Sequence, residues 1–271
     1  ERFDDALLDA APRLPVMANM AGGSDNADPA ATAARGIWVT NTPGVLAETT
    51  ADFAFALLMA LARRVVESDR DTRAGGWRSW SSTAFLGPDV HGATLGVVGL
   101  GEIGAAMARR ARGFGMTVLA ATRTPRPAAE AALGVTRVAL DDLLERAAIV
   151  SLHTPLTPAT RHLMDAARFA RMRPGALLVN TARGGVVDQD ALVAALRSGR
   201  LGGAALDVTD PDPLPLDHPL YGFPNVIITP HIASASLATR ARMASMAAAN
   251  ILAVLAGGEP PNAVNRPARP R

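Results

Sequence analysis

The stretch Gly99-Leu100-Gly101-Glu102-Ile103-Gly104 has the residue types and the spacing to hold a pair of phosphates. Glycine at 99 allows a tight turn. Glycine at 101 lets an anionic group reach the backbone, and glycine at 104 lets a helix pack closely on a strand. The flanks supply those elements. Thr94 to Val98 is short and apolar and reads as a buried strand, and Ala105 to Phe114 reads as a helix closed by Gly115. Thr117 to Ala121 reads as a second strand. Strand, glycine turn, helix and strand in this order form a dinucleotide-binding unit; the competing reading is a glycine-rich turn in an α/β domain without cofactor. Where such a unit carries the acid that selects NAD, about Thr122 counted from Gly104, this chain has Thr122-Arg123-Thr124-Pro125-Arg126. Two guanidiniums and no carboxylate make NADP(H) the expected cofactor, with NAD(H) second.

The composition suits elements that would hold such a turn. The chain has 271 residues, 49% hydrophobic and 19% charged, as expected of a globular protein of two modest domains. It has no cysteine, which excludes disulfides, thiolate metal sites and a cysteine nucleophile. No metal site is expected. All 27 basic side chains are arginine, the net charge is only +2, and the arginines are scattered, so nucleic acid is not an expected partner. The longest apolar run, Phe53 to Ala62, is too short to cross a bilayer. Without a targeting signal in view, the cytoplasm is the expected location.

In order along the chain, Phe3 to Ala10 reads as a helix and Leu14 to Ala18 as a strand. Met20 to Asn26 reads as a loop and Gly36 to Asn41 as a strand. Thr49 or Thr50 could cap a helix with its apolar body at Phe53 to Leu61 and Arg63 and Arg64 in its last turn. Beyond the glycine turn, helices at Leu140 to Arg146, Phe169 to Met172 and Gln189 to Arg197 alternate with strands at Ile149 to Leu152, Ala176 to Asn180, Gly203 to Val208 and Val226 to Thr229. The strands end in polar groups, His153-Thr154-Pro155, Thr181-Ala182-Arg183, Asp207 and Pro230-His231. Ligands bind at such carboxyl ends in open parallel sheets. A last helix, Ala238 to Leu255, leads to a Pro- and Arg-rich tail expected to fray.

Five segments, VVGLGEIG (97–104), HTPLTPATRHL (153–163), VNTARGGVVDQDAL (179–192), ALDVTDPDPLP (205–215) and VIITPHIASAS (226–236), resemble the D-2-hydroxyacid dehydrogenase family, most closely its glyoxylate and hydroxypyruvate reductases. The resemblance implies a Rossmann-type doubly wound parallel sheet domain, residues 46–232, inserted into a smaller flavodoxin-like α/β substrate domain, residues 1–45 and 233–271. Family members usually carry an extra βαβ segment upstream, so the substrate domain is expected to be incomplete over these residues.

The implied reaction moves a hydride from NADPH to the keto carbon of a small 2-keto acid and yields a D-2-hydroxy acid. It needs a proton donor, for which His231 has the right chemistry, and a cation for the carboxylate, for which Arg183 has a planar fork. A carboxylate beside the histidine would orient it and favour its charged form. The matching position, usually Glu, is Asp212, one methylene shorter; Asp210 is the rival two residues away. The resemblance also places Glu102, Ile103, Thr124, Pro155, Thr181, Ala182 and Asp207 against the cofactor, and Gly22 and Gly23, after Ala21 where glycine is usual, against the substrate carboxylate. His153 has no implied proton-transfer role and reads as structural. A formate- or phosphite-type dehydrogenase and a catalytically silent, dinucleotide-gated binding protein are the alternatives on the same fold. The Thr50 to Arg64 helix, apolar over most of its surface, and the following Gly-Gly-Trp-Arg-Ser-Trp segment predict a homodimer. In it Trp80 would reach toward the neighbouring active site, or the two indoles would simply pack.

Overall fold

The computed structural model describes residues 3–271. The elements α1 (Asp5–Ala10), β1 (Val16–Ala18), α2 (Pro29–Ala34), β2 (Trp38–Thr40), α3 (Ala47–Ala62) and α4 (Val65–Arg73) come first. Next are β3 (Thr94–Val98), α5 (Glu102–Gly113), β4 (Thr117–Ala121), α6 (Pro127–Leu133), β5 (Val135–Arg137), α7 (Leu140–Arg146) and β6 (Ile149–Leu152). Then come α8 (Ala166–Arg171), β7 (Ala176–Asn180), α9 (Gln189–Arg197), β8 (Leu201–Leu206), β9 (Val226–Ile228) and α10 (Leu237–Leu255). The chain divides into unit 1, Glu1–Thr49 with Ser234–Arg271, and unit 2, Thr50–Ala233.

Unit 2 holds a seven-stranded, wholly parallel sheet in the order β5-β4-β3-β6-β7-β8-β9. The chain runs outward from β3 to β5, returns, and runs outward again from β6 on the other side. That reversal is the topological switch point of a doubly wound fold. The central strands β6 and β7 are buried along their whole length, which is why their sequences are near-continuous apolar runs rather than alternating ones. The side chains of β6, β7 and β8 divide between two cores by the period of two. Leu152, Leu178 and Leu206 pack with Leu143, Phe169 and Leu192, while Leu177, Val179 and Ala205 pack with Leu58, Leu61 and Met107. Capping fixes where the helices begin. Asp165 and Asp188 accept the Arg168 and Ala191 N–H groups at the starts of α8 and α9.

Unit 1 pairs β1 with β2 in parallel, over a core of Leu8, Met17, Ile37 and Val39. Its far edge is closed by residues 262–265. Val264 N donates to the Val39 carbonyl at 2.7 Å, and the Asn265 side chain accepts from Val39 N at 2.8 Å and donates to the Ile37 carbonyl at 2.9 Å. Fraying, the sequence expectation for this tail, therefore fails over residues 262–265, because one asparagine supplies both a donor and an acceptor to the strand edge.

Local expectations differ elsewhere. Helix α3 begins at Ala47, so neither Thr49 nor Thr50 caps it. Arg64 is not its last turn but the left-handed joint (φ 51°) before α4, held to Glu67 at 2.6 Å. Most apolar residues of α3 (Ala51, Ala54, Phe55, Leu57, Leu58, Leu61 and Ala62) are buried within the protein's own core, and only Asp52 and Ala56 are fully outward in its body. The helix itself therefore offers little to a second copy. Elements α2, α4, α6 and β5 have no counterpart in the sequence reading; each is short, from three to nine residues.

Candidate active site

The glycine turn lies at the switch point, between β3 and α5. Gly99 has a φ of 95°, a conformation L side chains rarely adopt, and a Cβ there would strike the His153 carbonyl. A Cβ on Gly104 would strike the Gly99 carbonyl, so turn and helix pack backbone to backbone. Gly101 is the N-cap of α5 and offers no side-chain acceptor, and a Cβ there would meet nothing within 4 Å. Among the described residues no side chain caps the first-turn N–H groups, which leaves them available to an anion.

Beside the turn opens a cavity of about 880 Å³. Gly99, Gly101, Thr122, Arg123, Thr124, Arg126 and Pro155, all singled out from the sequence, line it. Arg137, Thr157 and Thr160, not assigned from the sequence, line it too, as does His153, which reads as structural there. No carboxylate is among its lining residues. Arg123, Arg126 and Arg137 make no side-chain ion pair among the described residues, whereas Arg35, Arg64, Arg110, Arg146 and Arg171 each grip a carboxylate within 3.0 Å. The Thr181 hydroxyl, also expected at the cofactor, is buried without a hydrogen-bond partner. Glu102, Ile103, Gly104, Thr181, Ala182 and Asp207 do not line this cavity. The uncapped helix start and the guanidiniums lining the cavity fit the anionic groups of a nicotinamide dinucleotide.

His153 explains itself. Its Nε2 is 2.8 Å from the Ser151 hydroxyl, and its Nδ1 is buried without a partner. The residue as a whole keeps a partly exposed edge, but burial of the ring nitrogens disfavours a positive charge and pushes its pKa down to about 4. It is a neutral side chain at ordinary pH.

The second half of the site stands at the carboxyl ends of β7, β8 and β9, which are neighbours in the sheet. After β7, the buried Asn180 side chain donates to the Arg183 carbonyl at 2.9 Å and accepts from Ala182 N at 3.0 Å, which fixes the turn that presents Arg183. After β9, His231 takes a left-handed backbone (φ 54°), unusual for a residue with a Cβ. The buried Asp207, at the end of β8, holds it there. Its carboxylate accepts from Thr229 Oγ1 at 2.7 Å, Ile232 N at 2.9 Å and Ala233 N at 2.8 Å. Sequence reasoning missed this pinning role; the hint was an aspartate closing an otherwise apolar strand, with a proline-histidine turn closing the next one.

The loop after β8 also delivers Asp212. Its Oδ2 lies 2.7 Å from His231 Nδ1, while Asp210 turns to Arg161 at 3.3 Å. Asp212 therefore meets the histidine despite its shorter side chain, because its loop lies close. The His231 and Asp212 side chains stay 54% and 38% exposed, so the pair is open to a ligand. Gly22 and Gly23 lie in unit 1, in the loop after β1, where Asn41 Nδ2 donates to the Gly22 carbonyl at 2.8 Å. None of Ala21, Gly22 and Gly23 has a positive φ, so alanine at 21 needs no conformation reserved for glycine.

A dinucleotide turn at the switch point and an arginine, histidine and aspartate on the neighbouring strand ends define an oxidoreductase of the nicotinamide type. Residues 55–233 match the model of the D-isomer specific 2-hydroxyacid dehydrogenase, NAD binding domain. The chain belongs to that family. A glyoxylate reductase of Korarchaeum cryptofilum is 53% identical over 97% of this chain and 80% of its own length. Among solved structures, a Thermus thermophilus protein is 53% identical with a TM-score of 0.90, covering 97% of this chain and 83% of that one. An NADPH-dependent glyoxylate/hydroxypyruvate reductase from Sinorhizobium meliloti, in complex with NADP and malonate, is 37% identical with a TM-score of 0.88 over 100% of this chain and 83% of that one.

Proposed function

We propose that the protein reduces a small 2-keto acid of the glyoxylate or hydroxypyruvate type to the D-2-hydroxy acid, with NADPH preferred over NADH. The observation that carries this reading is the 2.7 Å contact between His231 Nδ1 and Asp212, on the strand end beside the one that presents Arg183. The names of the relatives, glyoxylate reductases among them, support the substrate class.

Each residue has a task that its chemistry fits. Bound NADPH supplies the hydride. Arg183 takes the substrate carboxylate in its planar fork and turns the keto carbon toward the hydride. His231, protonated, donates from Nε2 to the carbonyl oxygen as negative charge develops there. Asp212 accepts from Nδ1, so the ring's orientation is fixed and its positive charge is balanced before transfer. Asp207 and Asn180 hold the two turns in place. The Gly22 and Gly23 loop keeps the role implied by resemblance, backbone N–H donation to the carboxylate. Around the cofactor, Arg123 and Arg126, joined by Arg137 on the same cavity, are the groups for the 2′-phosphate. One keto carbon gains a hydride and its oxygen gains a proton, which leaves NADP⁺, the hydroxy acid and a neutral histidine.

The reading includes a homodimer built on the segment after α4, where Trp77 and Trp80 are 73% and 84% exposed and Leu86 is 66% exposed. No helix among the described residues is long and apolar enough to cross a membrane. Purified protein assayed with a panel of small keto acids, each with NADPH and with NADH, tests the reaction. Turnover of glyoxylate or hydroxypyruvate is expected, faster at limiting NADPH than at limiting NADH. Binding of cofactor without turnover of any keto acid would leave the gated binding protein instead.

A further inference from the structure

Asp212 reaches His231 with a side chain of only two rotatable bonds, so the position of its backbone decides the contact. Asp212 has no other hydrogen-bond partner among the described residues. What fixes that backbone is therefore part of the site. Two residues upstream, Asp210 is held from both sides of its peptide by one side chain. Gln189 Oε1 accepts from Asp210 N at 3.0 Å, and Gln189 Nε2 donates to the Asp210 carbonyl. Gln189 is the first residue of α9, whose start is set independently by the Asp188 cap. Its amide is thus anchored on a helix packed in the core and projects onto the loop. Thr209 Oγ1 bonds the Pro211 carbonyl at 2.7 Å, and Arg161 bonds the Asp210 carboxylate at 3.3 Å. A Cβ on Gly184 would strike the Thr209 carbonyl and Asp210 N, so the loop also rests directly on the turn that follows Arg183.

We infer that Gln189 is a positioning residue for the reduction: its amide clamps the Asp210 peptide and thereby holds Asp212 within hydrogen-bond reach of His231. The chemistry requires an amide. The Asp210 peptide presents one donor and one acceptor, and of the side chains of this length only glutamine offers both in return. A glutamate there would still accept from the N–H, but it would set an anionic oxygen against the Asp210 carbonyl and near the Asp210 carboxylate. The contact to be protected has little tolerance. A shift of about 1 Å carries a 2.7 Å hydrogen bond past the distance at which it counts as one.

The inference rests on the proposed reduction only for its kinetic arm. Gln189→Ala is expected to lower kcat for keto-acid reduction about tenfold, with the NADPH dissociation constant within twofold of wild type. Gln189→Glu should lose nearly as much. The decisive measurement is a double-mutant cycle with Asp212→Asn. If Gln189 acts through Asp212, Gln189→Ala costs less than twofold in the Asp212→Asn background. Multiplication of the two losses would overturn the inference, as would a Gln189→Glu variant with wild-type kcat. A crystal structure of Gln189→Ala provides a readout that needs no turnover. The His231–Asp212 distance should open beyond 3.5 Å, and an intact 2.7 Å contact would overturn the inference whatever the substrate is. Failure of the reduction itself would show separately, as absence of turnover by the wild type.

Discussion

The carboxyl edge of the unit 2 sheet carries two sites built on opposite principles. At β3 and β4 the work is done by what is missing. Side chains are absent at Gly99, Gly101 and Gly104, the start of α5 lacks a side-chain cap, and no carboxylate among the described residues pairs with Arg123, Arg126 or Arg137. At β7, β8 and β9 nearly every polar group is already engaged: Asn180 with the Arg183 turn, Asp207 with the His231 turn, Gln189 with the Asp212 loop. The first half is arranged for a charged ligand that brings its own hydrogen-bond acceptors. The second holds its side chains in place, as the proposed proton transfer would require. A binding site gains from unsatisfied groups, and a proton-transfer site gains from satisfied ones.

The contrast is sharpest under mutation. Removal of the proposed proton donor in the engaged half should give the largest effect: His231→Ala is expected to lower kcat/KM for reduction about 1000-fold, with NADPH affinity, read by fluorescence titration, unchanged. Arg183→Ala should follow, with a loss of ~100-fold in kcat/KM, since a hydrogen bond to a charged group contributes about 1.5–3 kcal/mol and a contact that strengthens in the transition state more. Near-wild-type turnover in either variant would show that the engaged half is a scaffold only. In the open half the effect should be smaller and confined to one cofactor. Arg123→Ala combined with Arg126→Ala is expected to raise the KM for NADPH about tenfold while that for NADH changes little. Equal changes for both would place the 2′-phosphate elsewhere.

The smallest effect is on stability, and it comes from the boundary between the halves. His153 titrates near 4 when folded and near 6.5 when unfolded, so its folded pKa is lowered. Between those values the unfolded chain binds the proton first, and stability falls as pH falls. From pH 7 to pH 5.5 the loss is about 1 kcal/mol by the linkage relation, and it levels off below the folded value. Urea titrations at the two pH values should show it, and His153→Gln should remove that share of the difference.

The sequence spoke most clearly where function demands a fixed order of residue types. Gly99 to Gly104, Arg183, Asp212 and His231 sit on turns whose composition is constrained by backbone geometry or charge, and each could be named before any fold was in hand. The central strands were legible because burial on both faces leaves continuous apolar runs. Less was visible of the supports. Asp207 and Gln189 act through contacts 25 and 21 residues away in sequence, and spacing within one segment carries no record of such a contact. The Asn265 clasp on β2 spans 226 residues and stood inside a segment whose composition suggested disorder. Arg137 was missed because β5 is three residues long, too short for any periodicity to declare itself.

The Asn265 clasp also bears on the order in which the molecule can be made. Everything unit 2 needs has been synthesised once Ala233 has emerged, and its parallel sheet can close while translation continues. The edge of β2, by contrast, receives its partner only from residues 262–265, and the strand it protects was made more than two hundred residues earlier. Until those residues are made, the nascent chain carries an open strand edge on β2, and a truncation ahead of Asn262 would leave that edge bare.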